Sequence, residues 1–270
     1  MVMMSSEYRY AKAARQSRIL EELAAAPTLR MNHLSERLGV SGETIRRDLR
    51  ELDLRGLVSR TYGGAVRSFV AEPAIAERRR LMIAEREAIA AAVSATIRPG
   101  EVLMFGAGAT TLHVACRIAR DHRDLTVITH AIDIVIALGA NDSFTVISTP
   151  GHFDPREGHL IGQDTVAFLD GFLADRAILG ASGVTEEGFS NAEAHAASVY
   201  AAMMRRSSIT TIAVDRQKFG VRALRNVGQW GPQVLLATDT MPDPALATAI
   251  RRQGTEILVA DATAATGCAP

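Results

Sequence analysis

The chain has little cysteine: Cys116 and Cys268 are the whole complement in 270 residues. That excludes a disulfide framework and a cysteine-rich metal site. Cys116 falls in a helical pattern and reads as core, whereas Cys268 lies in a small-residue tail expected to be disordered. Long apolar runs are missing too. The longest, around Val127 to Leu138, is interrupted by His130 and Asp133 and is too short to span a bilayer. The opening stretch MVMMSSEYRYAKAARQSR carries no apolar core of a secretory leader. A cytoplasmic location and no membrane partner are therefore expected. Net charge is absent, with 30 basic against 30 acidic residues, which argues against a sequence-indifferent DNA binder that relies on phosphate neutralisation. Lysine is nearly absent: of the 30 basic residues only Lys12 and Lys218 are not arginine.

Charge is nonetheless unevenly placed. Residues 1–70 hold 12 basic and 8 acidic side chains, and residues 71–270 hold 18 and 22. A basic head on an acidic body is expected if only the head meets a phosphate backbone. The head has a matching pattern. Ile19, Leu20 and Leu23 sit at helical spacing, and Ala24–Ala26 run into Pro27, which stops that helix. Met31, Leu34 and Leu38 stripe a second helix, with Gly39 as its C-cap. Ser41 offers an N-cap hydroxyl to a third, on which Ile45, Leu49 and Leu52 share one buried face.

Thr44, Arg46, Arg47 and Arg50 then point outward, where a guanidinium can bridge guanine O6 and N7 or clamp a phosphate. Asp48 and Glu51 are expected to orient these arginines by ion pairing. After Gly56, Leu57 and Val58 begin a strand, Tyr62-Gly63-Gly64 turns it, and Ala65-Val66 return. Arg60 and Arg67 flank that hairpin and would meet phosphates if it acts as a wing. The stretch GVSGETIRRDLRELDLRGLVSRTYGGAV closely resembles the N-terminal domain of the DeoR family of bacterial transcriptional regulators. The resemblance rests on Thr44 to Leu49, Gly56-Leu57 and Gly63 to Ala65, with Tyr62 standing where the family more often has His. It implies a DNA-binding regulator, usually a repressor, controlled by a phosphorylated sugar metabolite.

From about residue 75 the pattern changes. Ser68 to Glu72 reads as a short connector, and Pro73 opens a predicted helix running through Ile97. Within it Arg78-Arg79-Arg80 forms a solvated face or an interdomain contact, with a second DNA patch as the lesser alternative. Strands are predicted at 102–105, 125–129, 144–148, 177–180, 210–214, 234–238 and 256–259. Helices are predicted at 110–120, 131–138, 164–173, 192–206 and 244–252. Short apolar strands alternating with helices indicate a mostly parallel sheet covered on both faces. The predicted organisation is a winged helix-turn-helix over 1–67, a connector and helix over 68–97, an α/β domain over 98–262 and a tail over 263–270.

Ligands of such folds bind where strand ends lead into helix N-termini. Gly106-Ala107-Gly108-Ala109-Thr110-Thr111 leaves a strand and enters a helix, offering backbone N–H groups and two hydroxyls to a phosphate or carboxylate. Gly180 to Gly183 and Asp215 to Gly220 follow later strands. Lys218 is informative because arginine is the default cation here; the bland alternative is an exposed loop lysine. These loops resemble the sensor domain of the same family, whose fold is similar to ribose-5-phosphate isomerase and the coenzyme A transferases. By that resemblance the effector's phosphate would contact Gly108, Thr110 and Thr111, with Lys218 nearby; Gly106, His130, Gly183 and Asp215 are the further residues expected in the effector site. The chain departs from the family where Asp-Ser-Gly-Thr-Thr is replaced by Gly106 to Thr110, Thr-Asn-Ser by Thr129-His130-Ala131, and Gly-Gly by Pro150-Gly151. The phosphate cradle is kept and the groups for sugar hydroxyls are changed, which implies an anionic effector other than a common ketose or aldose phosphate.

The expected partners are a double-stranded DNA operator, a phosphorylated sugar or polyol, and further copies of the chain in a dimer or tetramer. No cofactor, metal or catalytic residue is expected. Two alternatives stand beside this reading. An isomerase would need a carboxylate base, which Gly106 does not supply, leaving Asp215 and Lys218 as an acid–base pair. A metal-responsive regulator would use His152, Asp154, Glu157 and His159 in the loop PGHFDPREGHLIG. His113 reads as helix surface or pocket wall.

Overall fold

The computed structural model describes residues 28–54, 58–61, 64–67 and 73–260, together with Lys12, residues 14–16, Arg18, Ile19 and Glu22. They belong to two compact units, Met1–Glu72 and Pro73–Pro270.

In the smaller unit the described residues between Lys12 and Glu22 are helical. Helices Met31–Leu38 and Gly42–Leu54 follow. Ile19, Leu34, Ile45, Leu49 and Leu52 are buried together, as their spacing requires. Leu20, the segment 23–27, Gly56, Leu57, Tyr62, Gly63, the 68–72 connector and the tail with Cys268 lie outside the described residues. Strands β2 (Val58–Thr61) and β3 (Gly64–Arg67) pair antiparallel as a hairpin. A third strand that the sequence did not announce, β1 (Thr28–Arg30), pairs with β3. Ser41 accepts the Thr44 N–H at 3.2 Å, the expected N-cap.

The acidic residues of the third helix have a different role from the one expected. Asp48 is 1% exposed and receives both Nε and Nη2 of Arg15 from the first helix. Glu51 receives Lys12 Nζ and, at 3.0 Å, Gln16 Nε2. These bonds, that to Lys12 first, hold the Glu51 carboxyl below the ordinary carboxylate range. Both therefore tie the third helix chiefly to the first, and the attraction of Glu51 for outward Arg47 is the smaller effect. Among those, Arg46 is paired with Glu43.

The larger unit is built on seven parallel strands in the order β15-β14-β12-β9-β4-β5-β6. These are β4 (Val102–Phe105), β5 (Thr126–Thr129), β6 (Thr145–Ser148), β9 (Ala174–Leu179), β12 (Ser207–Ala213), β14 (Val234–Thr238) and β15 (Glu256–Val259). Alternate residues along each strand point to opposite faces. Leu103, Phe105, Val127 and Ile178 join helices Ile83–Ser94, Ala109–Asp121 and Ile132–Gly139 in one core layer. Met104, Ile128, Leu179 and Ile212 join helices Gln163–Asp170, Ala194–Arg205 and Pro244–Arg252 in the other. The expected α/β sandwich is present, with each predicted strand found to within a few residues. Because β4 is followed by β5 and β6 on one side, and by β9 and β12 on the other, the order reverses between β4 and β9. Such a reversal opens a crevice beyond the strand C-termini.

Three features correct the sequence reading. The helix expected from Pro73 to Ile97 is two helices, Ile75–Arg78 and Ile83–Ser94, broken at Met82, which adopts φ 54°. Arg86 Nη1 donates to the carbonyls of Arg78 and, at 2.6 Å, Leu81, and so holds that break. The loop expected at 150–162 is a hairpin, β7 (His152–Asp154) and β8 (His159–Ile161). A small antiparallel sheet of β10 (Gly183–Thr185), β11 (Gly188–Asn191) and β13 (Arg225–Gly228) is also present. Its strands are too short to show alternation.

Removing the buried Asp48 carboxylate breaks both of its bonds to half-buried Arg15, so Asp48→Ala should destabilise the chain by about 3 kcal/mol. Glu51→Gln, at a half-exposed pair, should shift a urea midpoint far less. Equal shifts for the two variants would contradict the assigned roles.

Candidate functional site

The geometry of the sheet's C-terminal end is set by one peptide. Ala107 N–H donates to Nε2 of His130 at 3.0 Å, and the Ala107 carbonyl accepts from the Tyr200 hydroxyl. An imidazole that accepts at Nε2 carries its proton on Nδ1, and His130 Nδ1 lies 2.8 Å from the Leu160 carbonyl. The ring is thus fully used and neutral. Burial, followed by the neighbouring His159, pushes its pKa from 6.5 to about 3, against the opposing Leu160 bond. His130 was expected to touch the effector; at 0% exposure with both nitrogens engaged it anchors the loop instead.

Gly106 has a steric reason. A Cβ there would lie 2.8 Å from Tyr200 Cε1 and 3.0 Å from Leu179 Cδ2. The family's carboxylate cannot stand at this position while Tyr200 occupies the space. Gly108, at φ 148°, opens helix Ala109–Asp121, which no side chain caps. Its first-turn N–H groups therefore face the strand end with the helix's partial positive charge. Thr111 donates to the Gly108 carbonyl at 3.0 Å. Thr110 is 9% exposed, and among the described residues its hydroxyl has no hydrogen-bond partner.

The other expected site loops reach the same end of the sheet. A Cβ on Gly180 would sit 3.9 Å from the Ala107 carbonyl and 4.0 Å from Thr111 Cγ2, so the β4 and β9 loops adjoin. Gly183 is not part of that edge. It starts β10, where a Cβ would fall 2.2 Å from the Val221 carbonyl. Close backbone packing accounts for it.

Asp215, at the end of β12, is equally committed. Its carboxylate accepts from Arg86 Nη2 at 3.3 Å and from the Gln217 N–H at 3.1 Å, capping the single turn Arg216–Lys218. Arg86 and Asp215 are both buried, at 4% and 1% exposure. Half-buried Lys218 ends that turn, on the strand-end side of the sheet shared with Thr110. His113 is buried, and burial, then Arg86, lowers its pKa. It is not helix surface. Asp215 is held by Arg86 and position 106 has no side chain, so neither offers a free carboxylate at the strand end.

The arginine run ahead of the helix Ile83–Ser94 is part of this unit. Arg78 pairs with Glu157 of the β7–β8 turn, and Arg79 with Asp133 at the start of helix Ile132–Gly139. The same hairpin sorts the suggested metal ligands. Asp154 and His159 are direct cross-strand partners, whereas exposed His152 pairs with Ile161 at the other end, and Glu157 is taken by Arg78. Glu193, which the sequence reading missed, joins Asp154 and His159.

Together, a helix-turn-helix with a β-hairpin and an α/β domain with an anion-ready strand end define a DNA-binding regulator with its own small-molecule sensor. The DeoR-like helix-turn-helix domain matches residues 15–68, and the DeoR C-terminal sensor domain matches residues 82–240. The chain belongs to the DeoR family of transcriptional regulators. It is 31% identical over 231 residues to the glycerol-3-phosphate regulon repressor of Escherichia coli, covering 84% of this chain and 91% of that one. It is 32% identical over 230 residues to the transcriptional repressor AccR of Agrobacterium fabrum, covering 84% and 89%. Among solved structures, ribose 5-phosphate isomerase A of Methanocaldococcus jannaschii aligns with a TM-score of 0.36 at 12% identity, over 50% of this chain and 53% of that one. That match is too loose to carry a function.

Two measurements check the loop anchor. Gly106→Ala should cost about 1–3 kcal/mol, and much less in a Tyr200→Leu background; additive losses would contradict the assigned contact. His130 is neutral in the fold but protonates when unfolded, so its contribution is complete above pH 6.5 and is lost as pH falls towards 3. His130→Asn should remove up to about 1.4 kcal/mol per pH unit of the acid-side slope in that window. An unchanged slope would mean that His130 is not held neutral.

Proposed function

We propose that this regulator is a cytoplasmic repressor of a carbohydrate or polyol catabolic operon, released from its operator by a phosphorylated sugar or polyol. The observation that carries the reading is the adjoining of the β4 and β9 loops at the point where strand order reverses, beside an uncapped helix N-terminus. The name of the glycerol-3-phosphate regulon repressor, a relative over most of the chain, supports an effector of this class.

In this reading Ser41 and Thr44 set the N-terminus of helix Gly42–Leu54 against duplex DNA. Arg46, Arg47 and Arg50 read base edges and phosphates, and Arg60 on β2 meets the adjoining backbone. Symmetric operators call for paired heads, hence a dimer or tetramer. The effector's phosphate takes the first-turn N–H groups after Gly108, the Thr110 hydroxyl and the Lys218 ammonium, with Thr111 shaping the turn. Gly106, His130, Gly183 and Asp215 keep the site in shape without touching the ligand. Arg86 gives a route outward: it joins Asp215, at the strand end, to the carbonyls of Arg78 and Leu81, in the segment that leads back towards the DNA-binding unit.

Fluorescence anisotropy on promoter DNA tests both halves. Arg46→Ala or Arg47→Ala should weaken operator binding by about tenfold or more, as a lost base or phosphate contact costs about 1–3 kcal/mol. Lys218→Ala and Thr110→Val should bind the operator as the wild type does and lose the response to phosphorylated sugars and polyols. A wild-type response in both of these variants would refute the strand-end assignment.

A further inference from the structure

We propose that Asp154, His159 and Glu193 form a site for one divalent cation of the first transition row, with Zn2+ the expected occupant. Each residue offers one ligand atom, and these atoms all lie within 4.8 Å of one another. The backbone places them. Asp154 and His159 face each other across the β7–β8 ladder, which puts their side chains on one face. Glu193 is the residue before helix Ala194–Arg205, and its N–H is fixed by Asn191 Oδ1 at 2.8 Å.

The independent observation is the state of His159. It is 2% exposed, and neither ring nitrogen has a hydrogen-bond partner. Buried imidazole nitrogens are rarely left unused, and a cation bound to one of them removes that cost. Nε2 stands 3.5 Å from Glu193 Oε2, long for a charge-assisted hydrogen bond. It does match the edge of about 3.4 Å expected between two donors on a tetrahedral ion with bonds of about 2.1 Å.

The donor set fits the charge and softness of such an ion. Two carboxylates balance a divalent cation, and a neutral imidazole selects the borderline first-row metals over Mg2+ or Ca2+. Three protein ligands leave a coordination position for water or a bound oxygen. The proposal stands apart from the effector assignment, since it concerns different side chains and needs no phosphate.

The test uses the full-length chain, stripped by a chelator and dialysed. It is titrated with Zn2+ by calorimetry and with Co2+ by visible absorption. The wild type should take up one equivalent per chain and melt at a higher temperature with metal. Asp154→Asn and Glu193→Gln, at partly exposed positions, keep the shape and remove a ligand charge. Each should lose more than the about 10–100-fold in affinity that follows removal of a mere outer-sphere partner. His152→Ala should bind as the wild type does. No uptake by the wild type would overturn the proposal. Wild-type affinity in both ligand variants, or loss of binding in His152→Ala, would overturn it as well.

Discussion

The peptide of Ala107, held at its N–H by neutral His130 and at its carbonyl by Tyr200, is the constraint from which the sensor's strand end follows. It forces glycine at 106, because the ring that grips the carbonyl fills the space a side chain would need. It fixes the entry to helix Ala109–Asp121 and hence the direction of that helix's N–H groups. Through His130 Nδ1 it also holds Leu160 on β8. The hairpin carrying Asp154 and His159 is thus registered against the sheet. Tyr200 lies on the helix that Glu193 precedes, so one hydrogen-bonded peptide links three elements. Breaking it by protonating His130 costs more than a single bond, since the ring would lose an acceptor that the loop needs.

A comparable division of labour organises the DNA-binding unit. Carboxylates on the third helix are spent inward, with Asp48 on Arg15 and Glu51 on Lys12 and Gln16. Both anions therefore brace the helix carrying Arg46, Arg47 and Arg50 from its inner side. The basic excess of the first 70 residues is small, which limits what a single head gains from phosphate contacts.

Much of this was legible in the chain. The stripe Ile45, Leu49, Leu52 is a helical period, and short apolar strands between helices define a parallel sheet; both signals are local. The N-cap at Ser41 and the strand-end loop at 106–111 were legible for the same reason. What the sequence hid depends on partners far away. Nothing next to His130 shows that Ala107 and Leu160 will consume its nitrogens, and nothing near Asp215 announces Arg86. The break at Met82 was invisible because Met favours helices and the left-handed backbone there is held from Arg86. The hairpin at 152–161 escaped because three-residue strands carry no usable periodicity, although its turn end contains the pair that meets Glu193.

The most direct test of the central claim is hydrogen exchange on the full chain bound to its promoter DNA, with and without a pool of phosphorylated sugars and polyols. The account requires slower exchange at residues 108–113 when the active compound is added, together with faster exchange along residues 42–54 as the operator is released. Release of the DNA with no protection at 108–113 would contradict it.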